Sequence, residues 1–336
     1  MKKIKLWLLF LVSIVAIVGC SNSVSKDTQF NEYELIVLGA KGGIQDGNLT
    51  AFLLSTKESE NYITLDAGSI VNGLVETEKR GNLDHIDNSR SEYSKAGYVF
   101  RDLIKGYFVS HGHLDHVAGL VISSPSDTKK GIWGLETTHD TLKSNYFNWR
   151  AWPDFTDGAG GIGVYSLNTM THKSWYSIED TQLQVKAYPL SHGGVVSTAF
   201  LVRNPDDQYF LFFGDTGADE VEKASSLDAI WRDIAPLIDA DKLRGMVIEV
   251  SFPNSTPDKY LFGHLTPKWL MHELEQLKGY TSGGSIEGLS VVVSHIKYSL
   301  KWNEALTEKI LGELNALNGS TGVRFIIPEQ GELLYF

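Results

Sequence analysis

The sequence predicts an α+β chain built from two packed sheets with helices on their outer faces. Three observations predict it. β-rich apolar runs alternate with Gly, Asn and Asp loops from residue 34 onward. Helical patterns are interspersed late in each half, which places helices outside paired sheets. No internal repeat and no Pro- or Ser-rich linker interrupts the chain after residue 31. In order, the strands are ELIVLGA (34–40), TAFLLS (50–55), NYITLDAG (61–68) and GYFVS (106–110). LQVKAYPL (183–190), STAFLVRN (197–204), QYFLFFGD (208–215) and GMVIEVSF (245–252) follow, and LSVVVSH (289–295) and VRFIIP (323–328) close the set. Helices are expected at 116–123, around 135–148, at 267–278 and at 302–317.

The 336 residues are 42% hydrophobic and 21% charged, an ordinary globular composition that excludes collagen, coiled coil and disorder. The formal charge of −11 argues against a basic nucleic-acid face, because phosphate-backbone affinity comes from clustered Lys and Arg. One cysteine excludes an intrachain disulfide and a cysteine-rich zinc knuckle. That cysteine, Cys20, ends a leader. Lys2, Lys3 and Lys5 form a positive start, Leu6 to Val18 is uncharged and mostly apolar, and Ile17-Val18-Gly19-Cys20 resembles a bacterial lipobox. Residues 1–19 are therefore expected to be a lipoprotein signal peptide, with Cys20 lipidated. Residues 20–31, small and polar, are expected to tether a single domain spanning 32–336. The body would lie outside the cytoplasm, anchored to the cell envelope through Cys20, at the outer membrane if the host has one.

The ten histidines carry the chemistry. Ser110-His111-Gly112-His113-Leu114-Asp115-His116 packs three imidazoles and a carboxylate between a strand and an apolar helix. In an extended loop His111 and His113 project to one side, because the side-chain period is two. Asp115 and His116 then stand at the helix start and can turn toward a second ion. Imidazole with carboxylate suits zinc, iron or manganese. Further ligands should come from other strand ends. His192, Asp215 and His295 each follow an apolar run, as His111 does. His264, in FGHLTP before a helix, is open between metal ligand and catalytic acid. His85, His139, His172 and His272 lack the strand-end context and are left unassigned.

HxHxDH with separate His, Asp and His resembles the metallo-β-lactamase superfamily. Within it, HGHLDHVAGLVISSP (111–125) is similar to the signature of class II cyclic-nucleotide phosphodiesterases. The resemblance continues through GLETTHDTLKSNYFNWRAWPDF (134–155), PLSHG (189–193), GDTG (214–217), IEVSFPN (248–254), GHLTP (263–267) and SHIK (294–297). It implies a four-layer αβ/βα sandwich of metallo-β-lactamase type. It also implies two divalent ions, zinc being expected. His111, His113 and His192 would hold one, and Asp115, His116 and His295 the other, with Asp215 bridging. Asp115, His264 and Glu249 are the catalytic candidates. In the related tRNA 3′-end-processing nucleases a Glu and a downstream His donate protons, and Glu249 with His264 resembles that pair.

The implied reaction is hydrolysis of a 3′,5′-cyclic nucleotide, cAMP or alternatively cGMP, to the 5′-nucleotide by a hydroxide shared between the ions. The partner is then a small cyclic nucleotide, with no nucleic-acid polymer. Asn148, Trp149 and Trp152, in an aromatic segment (146–155), are expected to contact the base, against the plainer reading that these rings are core. Among rivals, a lactamase with a cysteine ligand is excluded by the position of Cys20. A histidine-only lactamase is disfavoured by Asp215. A thioesterase of glyoxalase II type lacks the HLDHVAGLVISSP continuation. A tRNA-processing nuclease is disfavoured by the acidic charge and the leader. A non-catalytic surface lipoprotein predicts gaps among the ligands, and there are none.

Overall fold

Antiparallel strands can be joined by short turns, whereas parallel neighbours need a crossover, and this difference decides where the helices fall. The computed structural model describes residues 32–302 and 305–336. The leader and Cys20 lie outside the described residues. The first half runs β1 (Tyr33–Gly39), the short β2 (Lys41–Gly42), β3 (Ala51–Thr56) and β4 (Tyr62–Leu65), then α1 (Val71–Lys79) and α2 (Lys95–Tyr98). It continues through β5 (Ile104–Phe108), α3 (Leu114–Ser123), β6 (Lys130–Gly134), α4 (Glu136–Thr141) and β7 (Tyr165–Thr169). The second half opens with β8 (Trp175–Ser177), β9 (Gln184–His192), β10 (Val195–Arg203) and β11 (Tyr209–Phe213). After these come α5 (Asp219–Glu222), α6 (Ser226–Asp239), β12 (Leu243–Glu249), α7 (Pro267–Tyr280), β13 (Ser290–Ser294) and β14 (Ile296–Lys297). The chain closes with α8 (Leu306–Leu317), β15 (Arg324–Ile326) and β16 (Leu333–Tyr335). No described helix is long and apolar enough to cross a membrane.

The strands form two seven-stranded mixed sheets, ordered β16-β1-β3-β4-β5-β6-β7 and β15-β13-β12-β11-β10-β9-β8. Each is antiparallel at one end and parallel at the other. In the first, β16, β1, β3 and β4 pair antiparallel, and β4, β5, β6 and β7 pair parallel. In the second, β8 to β11 pair antiparallel, and β11, β12, β13 and β15 pair parallel. The long helices sit in the parallel crossovers: α3 between β5 and β6, α6 between β11 and β12, α7 between β12 and β13.

Alternation along each strand builds the layers. Leu35, Val37, Phe52 and Leu54 meet Phe200, Val202, Phe210 and Phe212 in a core between the sheets. The opposite faces, Ile36, Leu38 and Leu53 on one sheet and Leu201, Leu211 and Ile248 on the other, pack under the helices. Both faces of each sheet are buried, which is why the strands read as continuous apolar runs rather than alternating ones.

The helix expected around 135–148 is only α4 with a wider π turn over 142–146, after which the chain turns at Phe147. The helix expected from 302 begins at Leu306, and the strand expected to reach 252 ends at Glu249. α1 and α6 were not anticipated. In α6, Leu227, Ile230, Trp231, Ile234 and Ala235 have amphipathic spacing and are buried, although Pro236 stands inside the helix.

Candidate active site

The site lies where strand ends meet. His111 and His113 follow β5, His192 closes β9, Asp215 follows β11, Glu249 ends β12 and His295 follows β13. β11, β12 and β13 are parallel neighbours, so Asp215, Glu249 and His295 emerge at one sheet edge. His113 stands at the N-cap of α3, with Asp115 and His116 in its first turn.

Two clusters face each other across Asp215. One comprises His111, His113, His192 and Asp215, the other Asp115, His116 and His295, and the ligand-capable atoms within each lie within 4.8 Å of one another. His192 Nε2 is 3.3 Å from His113 Nδ1, and His116 Nε2 is 3.3 Å from His295 Nε2. Asp115 Oδ2 is 3.3 Å from His295 Nε2. Asp215 Oδ2 lies 4.0 Å from His111 Nε2 and 3.7 Å from His192 Nε2. The same oxygen is 3.2 Å from both His116 Nε2 and His295 Nε2. One carboxylate oxygen thus reaches both clusters.

The outer hydrogen bonds decide which ring nitrogens are free. His116 Nδ1 donates to Asp66 (2.7 Å) and His192 Nδ1 to the Gly263 carbonyl (2.8 Å). Ser110 Oγ donates to Asp66 and so accepts from His111 Nδ1 at 3.0 Å. Ser251 Oγ donates to Glu249 and so accepts from His295 Nδ1 at 2.8 Å. Four imidazoles therefore keep the Nδ1 proton and turn Nε2 inward. His111 Nε2 is buried without any hydrogen-bond partner. Such an orphan costs about 1–3 kcal/mol. The Nε2 atoms of His116 and His295 face each other beside the Asp215 carboxylate, a convergence that suits a cation. The donor set of imidazoles and carboxylates fits two divalent ions.

Glu249 and His264 form a second unit against the first. Glu249 Oε1 accepts from His264 Nδ1 at 2.7 Å and from the Thr216 amide at 3.0 Å. The His264 ring lies 4.7 Å from that of His192 and is stacked on His295 at 5.2 Å. The structure also brings in residues that sequence reasoning missed. Asp66, Ser251 and Lys297 stand against the clusters, and Lys297 Nζ is 3.8 Å from Asp115 Oδ2. Asp66 had a legible signal, since it follows the apolar run of β4 just as Asp215 follows that of β11.

The aromatic segment borders this convergence through Tyr146. Phe147 and Phe155 are buried in the first core. Asn148 gives its amide nitrogen to the Ser144 carbonyl and its oxygen to the Arg150 and Ala151 amides. Trp152 Nε1 donates to Ser124, and Trp149 is exposed. Tyr146 ties the segment to the histidine loop by donating to the Gly112 carbonyl at 2.9 Å. His85, His172 and His272 contact Glu34, Tyr188 and Glu220, away from the clusters.

The model of the family "cAMP phosphodiesterases class-II" matches residues 30–331, nearly all of the body. The chain belongs to the class-II cAMP phosphodiesterase family. This class-II chain is 46% identical over 334 residues to a 3′,5′-cyclic-nucleotide phosphodiesterase of Aliivibrio fischeri, covering 98% of itself and 100% of that relative. The solved structure of unliganded yeast PDE1 superposes with a TM-score of 0.82 at 26% identity, over 90% of this chain and 99% of that one. A metallo-β-lactamase fold protein of Bacillus subtilis, YhfI, aligns at a TM-score of 0.59 and 11% identity over 90% and 98% of the two chains. The two mixed sheets with flanking helices are the metallo-β-lactamase fold.

In this class-II enzyme the electrostatics suit ligation. His111, His116, His192, His264, His295, Asp66, Asp215 and Glu249 are all buried at one edge. Burying unpaired ions costs several kcal/mol each, so such a cluster is retained only where charges compensate. Burial and the neighbouring imidazoles push His111 well below the usual imidazole range, so the ring is neutral, as a ligand must be. Burial opposes ionisation of Asp215, yet His116 and His295 hold its carboxyl well below the usual range. Burial works against the His264 imidazolium, but the Glu249 carboxylate outweighs it and raises the ring.

Proposed function

We propose that this enzyme hydrolyses 3′,5′-cyclic nucleotides, cAMP in particular, with two zinc ions and outside the cytoplasm. It is a 3′,5′-cyclic-nucleotide phosphodiesterase with a buried His/Asp metal site. The observation that carries the reading is Asp215 Oδ2 standing between the two histidine clusters. His111, His113 and His192 would hold one ion and Asp115, His116 and His295 the other, with Asp215 shared. When bound, the ions supply an activated water and Lewis-acid charge for the phosphoryl oxygens. Zinc suits the histidine-rich set.

The chain's own residues supply the rest. His264 has Nδ1 tied to Glu249, which leaves Nε2 to carry the proton that departs with the 3′-oxygen. Glu249 orients the ring and stabilises its charged form. Lys297 places a cation beside Asp115 for the phosphate. The leader, with Cys20 as the lipidated residue and 21–31 as the tether, supports export and anchoring at the envelope.

Purified full chain should convert cAMP to 5′-AMP, carry about two zinc ions and lose activity to a chelator. Two bound ions without turnover of cAMP or cGMP would overturn the substrate reading and return the question to lactams, thioesters and other phosphodiesters. The acid role has a separate test. His264→Ala should slow cAMP hydrolysis by about 100-fold or more but bis(p-nitrophenyl) phosphate far less, because nitrophenolate leaves without a proton. Equal losses on both esters would remove His264 from that role.

A further inference from the structure

The loop at 43–49, residues 68–72 and one side of α3, Asp115 included, line a groove of about 720 Å³. This size lies within the range of small-molecule sites. Leu114, Ala118 and Ile122 are spaced four apart and share one side of α3, away from the buried side of His116, Val117 and Leu120. Leu114 is 61% exposed and Ile122 71%, and Ile44 (61%) and Val71 (44%) line the same groove. Large aliphatic side chains gathered in the open mark a contact surface. Leu114 sits inside the metal motif itself, between two ligand residues, where the fold gains nothing from an exposed leucine.

We propose that this groove is the nucleobase subsite, taking the flat, uncharged purine while the cyclic phosphate lies at the histidine clusters. The inference rests on the cyclic-nucleotide reading above. Asp115 is shared between groove and metal cluster, so a nucleotide held by its phosphate has the groove directly beside it. No lysine or arginine lines the groove, which suits a neutral ring rather than an anion. The cation of the neighbourhood, Lys297, instead lines a second cavity together with Lys41 and Gln45. The groove, rather than the segment holding Asn148, Trp149 and Trp152, then presents the apolar wall to the base. Asn148 has already spent its amide on its own loop.

The double variant Ile44→Asn with Ile122→Asn tests this, because it removes apolar wall without adding charge that the phosphate would feel. Its KM for cAMP should rise about tenfold while kcat changes far less, the scale expected for loss of base contacts. Ribose 3′,5′-cyclic phosphate, which lacks the base, should be hydrolysed by variant and parent alike to within about twofold, which also shows that the variant folds. An unchanged KM for cAMP overturns the assignment, as does an equal loss on the base-free ester. Vesicles of phosphatidylethanolamine and phosphatidylglycerol separate a membrane contact from a base site. Lost vesicle binding with an unchanged KM would make the groove a membrane contact and overturn the proposal. A parent chain inert toward both esters would instead overturn the cyclic-nucleotide reading itself.

Discussion

Asp66 shows how much of a metal site lies in residues that never touch the metal. It is fully buried in a left-handed backbone conformation, with φ of 59°. It accepts from the Ser110 amide at 2.7 Å, the Ser110 hydroxyl at 2.8 Å and His116 Nδ1 at 2.7 Å. One carboxylate therefore orients the first histidine through Ser110 and the third directly. Asp66→Asn conserves size and tolerates the positive φ, but it turns one acceptor oxygen into a donor. The amide would press His116 into the tautomer whose Nε2 carries the proton and cannot ligate. Metal affinity should fall by about 10–100-fold, as for other residues that orient ligands. Titrating metal into the variant while following cAMP hydrolysis checks this, with activity partly restored by excess metal. Unaltered affinity would mean that Asp66 serves only the fold.

At the scale of elements, the short β2–β14 pair does for His295 what Asp66 does for His116. Ile296 and Lys297 pair with Lys41 and Gly42, which holds the chain just after His295 against the loop that leads to Gly43. A β-carbon on Gly42 would come within 2.6 Å of three atoms of the His295 ring. That ring is buried and fixed through Ser251, so it has no cheap way to yield. Gly42→Ala should leave the sheets folded by circular dichroism while kcat falls about tenfold or more and metal binding at the cluster of Asp115, His116 and His295 weakens. Full metal content and turnover in Gly42→Ala would show that the ring can move aside. Two-residue strands of this kind explain what the sequence could and could not convey. Long apolar runs such as β1, β10 and β11, and the HxHxDH loop between β5 and α3, were legible, because burial on both faces leaves an unmistakable pattern. So were Asp215 and His295, because a polar residue directly after such a run has few structural excuses. β2 and β14 carry no periodic signal, and their pairing arises only when the two sheets dock. Ser251 and Lys297 become part of the site for the same reason. α6 went unread, because the proline within it obscured its amphipathic spacing.

Across the whole molecule the metal centre joins two sheets that repeat one plan, antiparallel at one end and parallel at the other. His111, His113, Asp115 and His116 come from the first sheet, and His192, Asp215 and His295 from the second. An ion in either cluster would draw on both sheets, since Asp115 and His116 meet His295 just as His111 and His113 meet His192. A ligand that binds only the folded chain stabilises it by mass action, about 2.7 kcal/mol when present at 100 times its Kd. Removing the ions should therefore lower the melting temperature by on the order of 5–10 °C, given how strongly domains of this size respond to each kcal/mol. The same heating experiment on Asp215→Asn separates ligation from general ionic effects. Its metal-supplemented melting point should lie close to that of the chelated parent, because a neutral amide carries none of the carboxylate charge that both clusters share. A parent chain that melts at the same temperature with and without chelator would mean that the two sheets are held by their apolar core alone, and that the ions contribute to the reaction without contributing to the fold.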